Sequence, residues 1–314
     1  METVIINQIK KQSYTMKESL RALKTSISFS GKGIKSILFT SSVPNEGKST
    51  VVMDLARSMA DSKKAVLIVD TDMRKSVLVG RLRAQVESGG TIYGLSHYLS
   101  GQVSLDNIVY ATTIPRVFII FAGHEVPNPT ELLESKEFAE LIKFGEENFD
   151  YVLVDTPPTG AAIDAAVVGK NVDGAVVVAA QNATSSRAII NTKRTLEDSG
   201  VRILGAVLNK VKFEGSRYGG YYGSYYKGYY GGYGGYYGHY GHDNDDDDDE
   251  KESLDFVDET KADKDEEKKI PVKSGSKRTT GKRPAGKRNE SKADGKTNRE
   301  GYIWTLEKMV GNIW

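Results

Sequence analysis

Apolar positions in the first two hundred residues follow two rhythms. Six runs are almost unbroken: SILF (36–39), AVLIVD (65–70), RVFIIFAG (116–123), YVLVD (151–155), GAVVVAA (174–180) and ILGAVLN (203–209). Runs this short and this continuously apolar predict strands covered on both faces, because a half-solvated strand would alternate. Between them apolar residues recur at helical spacing. Over 14–27, Leu20, Leu23 and Ile27 fall on one stripe and Glu18, Arg21 and Lys24 on another. Further helices are predicted at about 47–62, 128–148 and 184–200. Strands alternating with helices imply an α/β fold, a mostly parallel sheet flanked by helices with right-handed crossovers.

The pattern stops near residue 212. Residues 218–240 read YGGYYGSYYKGYYGGYGGYYGHY, followed by the acidic run DNDDDDDEKE and a Lys/Arg/Gly/Ser stretch over 268–299. Such blocks bury too little apolar surface to offset chain entropy, so a disordered C-terminal tail is expected. The closing GYIWTLEKMVGNIW has Ile303, Leu306, Met309 and Val310 at helical spacing, readable as a short docking helix or as an unstructured end. Four segments result: 1–35, an N-terminal helical segment; 36–212, the α/β domain; 213–242, the Gly/Tyr-rich segment; and 243–314, a charged extension.

Charge and composition narrow the function. The formal net charge is +1, so nothing global points to a nucleic-acid partner, although local acidic and basic blocks oppose each other. The absence of cysteine excludes a disulfide framework and cysteine-based metal sites or catalysis. The first residues lack a signal-peptide core, and no stretch approaches the ~18 apolar residues of a membrane span. A cytoplasmic protein is expected, recruited to the inner face of the membrane only through a partner.

The candidate chemistry begins at residues 42–49, SVPNEGKS, between a predicted strand and helix. They fit G-x-x-x-x-G-K-[ST] with Ser42 in place of the first glycine. The loop Pro44-Asn45-Glu46-Gly47 and the helix start can cradle phosphates with the backbone N–H groups that follow the proline. Lys48 can reach the β- and γ-phosphates, the Ser49 hydroxyl suits Mg²⁺, and Thr50 would lie near the α-phosphate. Asp70 and Asp155 end two other strands, with Asp72 and Arg74 just after the first. In parallel sheets ligands collect at the carboxyl ends of strands. The loop and the three aspartates therefore converge on one crevice, where carboxylates serve Mg²⁺ or accept a proton from an attacking hydroxyl.

VPNEGKST, LIVDTDMR and VLVDTPP together resemble the three Walker-type motifs of the bacterial tyrosine kinases, the capsular and exopolysaccharide autokinases. GLSHYLSG (94–101), AGHEVPNPTELLESKEF (122–138) and LGAVLNKV (204–211) extend the resemblance over residues 1–212. It implies a P-loop NTPase of the deviant-Walker type that uses ATP and Mg²⁺, with catalytic Lys48, Asp70 and Asp72. Asp70 would be general base toward the tyrosine hydroxyl. Ser49, Asp72 and Asp155 would hold Mg²⁺, and Asn209 would read adenine. It also implies a ring-shaped homo-oligomer built through E-x-x-R-x-x-R, matched here by Glu18, Arg21 and Lys24 with lysine in the final place, which keeps the charge but loses the arginine fork. A separate transmembrane activator of the polysaccharide system and a tyrosine phosphatase complete the implied partners, with no nucleic acid among them.

The phosphoacceptors are then Tyr218, Tyr221, Tyr222, Tyr225, Tyr226, Tyr229, Tyr230, Tyr233, Tyr236, Tyr237 and Tyr240, on a glycine-rich segment able to reach a neighbour's site. Phosphates there, beside Asp245 to Asp249, would repel and loosen the ring. The chain continues some seventy residues past the tyrosines, further than the resembled kinases. Two rivals remain. Partitioning ATPases share the sheet and two motifs but carry an early P-loop lysine where this chain has Val43. An ATP-binding scaffold of a polysaccharide export complex would bind nucleotide without phosphorylating tyrosine.

Overall fold

The computed structural model describes residues 1–9 and 11–211. The tyrosine segment, the charged extension and the closing apolar stretch lie outside the described residues. In chain order the strands are β1 (Thr3–Ile5), β2 (Ser36–Ser41), β3 (Val66–Asp70), β4 (Gln85–Val86), β5 (Tyr110–Thr112), β6 (Val117–Ile120), β7 (Tyr151–Asp155), β8 (Gly174–Ala180) and β9 (Ile203–Asn209). The helices are α1 (Tyr14–Phe29), α2 (Lys48–Asp61), α3 (Leu78–Leu82), α4 (Leu95–Leu99), α5 (Pro129–Leu133), α6 (Lys136–Asn148), α7 (Asp164–Gly169) and α8 (Ser186–Asp198).

Among the described residues all nine strands form one sheet, in the order β4-β1-β5-β6-β3-β7-β2-β8-β9. From β6 to β9 every neighbouring pair is parallel. Antiparallel pairing is confined to the far margin, at β5–β6 and β1–β4. The carboxyl ends of β6, β3, β7, β2, β8 and β9 therefore share one edge, the place where an open α/β sheet keeps its ligand.

The unbroken apolar runs resolve into two faces. Along β3, Val66 and Ile68 join the core beneath α1 and α2, whereas Leu67 and Val69 join the core beneath α4, α6, α7 and α8. Along β8 the same division separates Val176 and Val178 from Ala175 and Val177. Leu55 and Met59 of α2 pack one face, and Phe138, Leu141 and Leu196 pack the other, all fully buried. Each such side chain contributes about 1.5–3 kcal/mol on leaving water.

Two differences from the sequence reading have local causes. Residues 128–148 form two helices rather than one, because Ser135 caps α6 by accepting a hydrogen bond from the Phe138 N–H, and the chain restarts there. The first segment also supplies β1, which pairs with β4 and β5 and buries Val4 in the core. At three residues, β1 is too short to stand out as an apolar run. Among the described residues no helix is long and apolar enough to cross a membrane.

Candidate active site at the carboxyl edge of the sheet

The loop between β2 and α2 has one residue that only glycine fills. Gly47 caps α2 at φ 87°, and a Cβ there would lie 2.2 Å from the Asn209 side-chain nitrogen. Asn45 is also left-handed at φ 65°, a conformation asparagine tolerates. Ser42, in contrast, keeps a negative φ. It is buried and its hydroxyl accepts from Thr192 at 2.9 Å, so serine fits where the common pattern has glycine.

The first hydrogen bond of α2 runs from the Val51 N–H to the Gly47 carbonyl. The N–H groups of Lys48, Ser49 and Thr50 precede it and have no carbonyl of their own helix to bond. No acidic residue occupies this first turn. Three free donors at the positive end of a fourteen-residue helix suit an anion. Ser49 is half-buried, while Pro44, Asn45 and Thr50 are exposed.

The loop is braced from behind. Glu46 is buried, and its carboxylate accepts from the Val43 N–H at 2.8 Å, the Ala180 N–H at 3.1 Å and the Thr184 hydroxyl. The Glu46 side chain thus faces β8 and the loop's own backbone. The Asn209 amide donates to the Glu46 carbonyl at 2.9 Å, and Lys210 donates to the Asn45 carbonyl at 2.6 Å. Asn209, expected to read adenine, is placed against the phosphate loop itself.

Lys48 and Asp155 form a buried ion pair, Nζ to Oδ1 at 2.5 Å. Asp155 stands directly beside Asp70 in the parallel register of β7 and β3. Asp70 accepts from the Ser76 hydroxyl at 2.6 Å and the Asp72 N–H at 3.1 Å. Burial, and then the Asp155 charge, push its carboxyl up to about 7 against these bonds and Lys48. Asp72 is half-buried, and one of its oxygens accepts from the Lys75 N–H. Ser49, Asp72 and Asp155 offer a hydroxyl and two carboxylates. No cluster of three or more metal-binding acidic or histidine side chains exists among the described residues. That donor set fits Mg²⁺, which takes one or two carboxylates and completes its shell with phosphate and water.

Arg74 turns away from Asp70. Its Nε and Nη2 donate to Asp164 at 2.8 and 3.0 Å, and Thr130 donates to the same carboxylate. This bidentate pair ties the loop after β3 to α5 and α7. Sequence reasoning missed Asp164 and Thr184, because neither sits in a local motif and each meets its partner across 90 or more positions. At α1, Glu18 pairs with Arg21, and Lys24 donates to Ser62 just beyond α2.

A family model described as AAA domain matches residues 36–197. Over 217 residues the chain is 38% identical to the tyrosine-protein kinase CpsD of Streptococcus agalactiae, spanning 69% of this chain and 93% of that one. The kinase domain of the Escherichia coli tyrosine kinase ETK superposes with a TM-score of 0.57 at 31% identity, over 64% of this chain and 79% of that one. The chimerical protein CapA2B2 superposes at 0.60 and 28% identity, over 67% and 93%.

Proposed function

Since the chain belongs to the bacterial tyrosine-protein kinases, we propose that it transfers the γ-phosphoryl group of ATP to tyrosines of its own Gly/Tyr-rich segment, Tyr218 to Tyr240. The pairing of Asp70 with Asp155 beside Lys48 supports this most strongly. It supplies a carboxylate whose proton affinity lies near neutrality, next to a cation suited to phosphate. Phosphoryl transfer asks mainly for positioning and charge neutralisation. The α2 N–H groups and Lys48 would hold the β- and γ-phosphates, with Lys48 exchanging Asp155 for phosphate oxygen. Ser49, Asp72 and Asp155 would hold Mg²⁺, which when bound offsets charge on the transferred group. Asp70 would accept the phenol proton as the tyrosine oxygen bonds to phosphorus and the bond to the ADP oxygen breaks.

Glu46 and Asn209 serve the same chemistry indirectly by fixing the loop from behind, and for Asn209 this fits the geometry better than adenine recognition. By resemblance, the kinase acts in polysaccharide synthesis and export, assembles as a ring through Glu18, Arg21 and Lys24, and meets a transmembrane activator. Phosphate accumulating on the tyrosines beside Asp245 to Asp249 would loosen that ring by repulsion.

The acceptor assignment is tested by incubating the full chain with ATP and Mg²⁺ beside a variant whose eleven tyrosines over 218–240 are phenylalanine. Phosphate incorporation should fall to near background in the variant. Equal incorporation in both would place the acceptors elsewhere.

A further inference from the structure

Arg81 sits where electrostatics disfavours it. It projects from α3 to the first turn of α2, with Nη1 3.5 Å from the Thr50 hydroxyl, and it is exposed. Among the described residues no carboxylate lies within ion-pair distance of it, whereas Arg21, Arg57 and Arg74 each have one. The N-terminus of α2 already carries partial positive charge, its first turn holds no acid, and the neighbouring Lys48 adds a further cation, paired with Asp155. Arg202 shows the favourable arrangement: its guanidinium donates to the Ser30 carbonyl at the C-terminal end of α1, where a cation belongs. Arg81 has the opposite placement.

A guanidinium held against a positive helix end, with no acid to balance it, is mildly disfavoured, and an anion lying between them would turn the contact favourable. Local rules broken in this way are expected at functional sites. Its reach fixes where that anion lies. Thr50 carries the third of the free N–H groups, beyond Lys48 and Ser49 in the first turn of α2. Arg81 also belongs to the segment after β3 that presents Asp70 and Asp72, so one stretch of chain would contact nucleotide, metal and acceptor.

We propose that Arg81 is a nucleotide-binding residue of this kinase, donating to phosphate oxygens at the Thr50 end of the phosphate loop, on the α-phosphate side. The proposal rests on the nucleotide-site reading above and adds a cation that no motif marks. Arginine suits the place because its planar fork meets two phosphate oxygens at once.

The test uses the full chain and its Arg81→Ala and Arg81→Lys variants, with Mg-ADP and free phosphotyrosine as probes. Arg81→Ala should bind Mg-ADP about tenfold more weakly at low salt, the range for an exposed but charge-assisted contact. Arg81→Lys should recover part of that loss, and the alanine variant's affinity should vary less with salt. Without nucleotide, the alanine variant should melt no lower than the parent, since a repulsive contact is gone, yet gain less from added ADP. Unchanged ADP affinity overturns the proposal. So does a loss confined to phosphotyrosine, which would assign Arg81 to the product instead. Lys48→Met separates the two readings. If it binds ADP like the parent, the phosphate-loop reading fails. If it loses ADP while Arg81→Ala keeps it, only Arg81 is wrong.

Discussion

Asp70 and Asp155 are direct partners on adjacent parallel strands, and only Asp155 has a lysine against it. Lys48 closes on Asp155 from the phosphate loop, while Asp70 has the Ser76 hydroxyl and one backbone N–H. Both carboxyls are almost fully buried. Two acids of one kind, side by side, thereby acquire different tasks. One is paired with a cation, and the other retains a proton more tightly than a free aspartate.

Activity should therefore report Asp70. Its carboxyl is raised from 3.8 to about 7, chiefly by burial and then by Asp155. A base acts deprotonated, so kcat/KM should climb with pH up to about 7 and then level off. Asp70→Asn should cut phosphorylation at least about 100-fold above pH 7, the scale of a lost general base, with the gap narrowing toward acid. A flat profile across this range would remove Asp70 from that role.

Stability carries the opposite sign. A raised folded-state value means that the contribution of Asp70 is fully present below 3.8 and is lost as pH rises through about 7. Asp70→Asn should thus raise the melting temperature relative to the parent above pH 7, by a margin that shrinks toward acid. Thermal unfolding of both proteins at several pH values checks it.

Gly47 and Asn209 should prove coupled. Gly47→Ala places a methyl 2.2 Å from the Asn209 amide and strains a backbone at φ 87°. It should weaken nucleotide binding sharply. Asn209→Ala removes the clash but not the strain, so Gly47→Ala/Asn209→Ala should bind better than Gly47→Ala alone. Additive losses in a double-mutant cycle would contradict the contact.

Glu46→Ala should destabilise the fold by about 2–3 kcal/mol in urea, because the Val43 and Ala180 N–H groups lose their acceptor. Nucleotide affinity should fall with it. A stable variant with intact affinity would mean that the brace is dispensable.

How legible this was in the sequence varies with distance along the chain. The strands 151–155, 174–180 and 203–209 have the bounds that their apolar runs predicted; burial leaves the first two no polar interruption, and the third keeps its apolar run although it lies half-buried at the sheet's edge. The antiparallel margin was not legible, since β1, β4 and β5 are two or three residues long and take their identity from pairing. At the site, Lys48, Asp70 and Asp155 stood out because phosphate loops and strand-end acids are local patterns. The partners of Glu46 and Arg74 did not, because Thr184 and Asp164 are set against them only by the folded sheet. Arg81 carried no motif either, and what marks it is its approach to Thr50 at the start of the phosphate-loop helix, a contact made only in the fold.

The most direct measurement is phosphopeptide mass spectrometry of the full chain after incubation with ATP and Mg²⁺, comparing the parent with Lys48→Met and with Asp70→Asn. Phosphate on tyrosines within 218–240 of the parent, and its loss from both variants while they remain folded, is the predicted result. Undiminished tail phosphate in the folded variants would contradict the account.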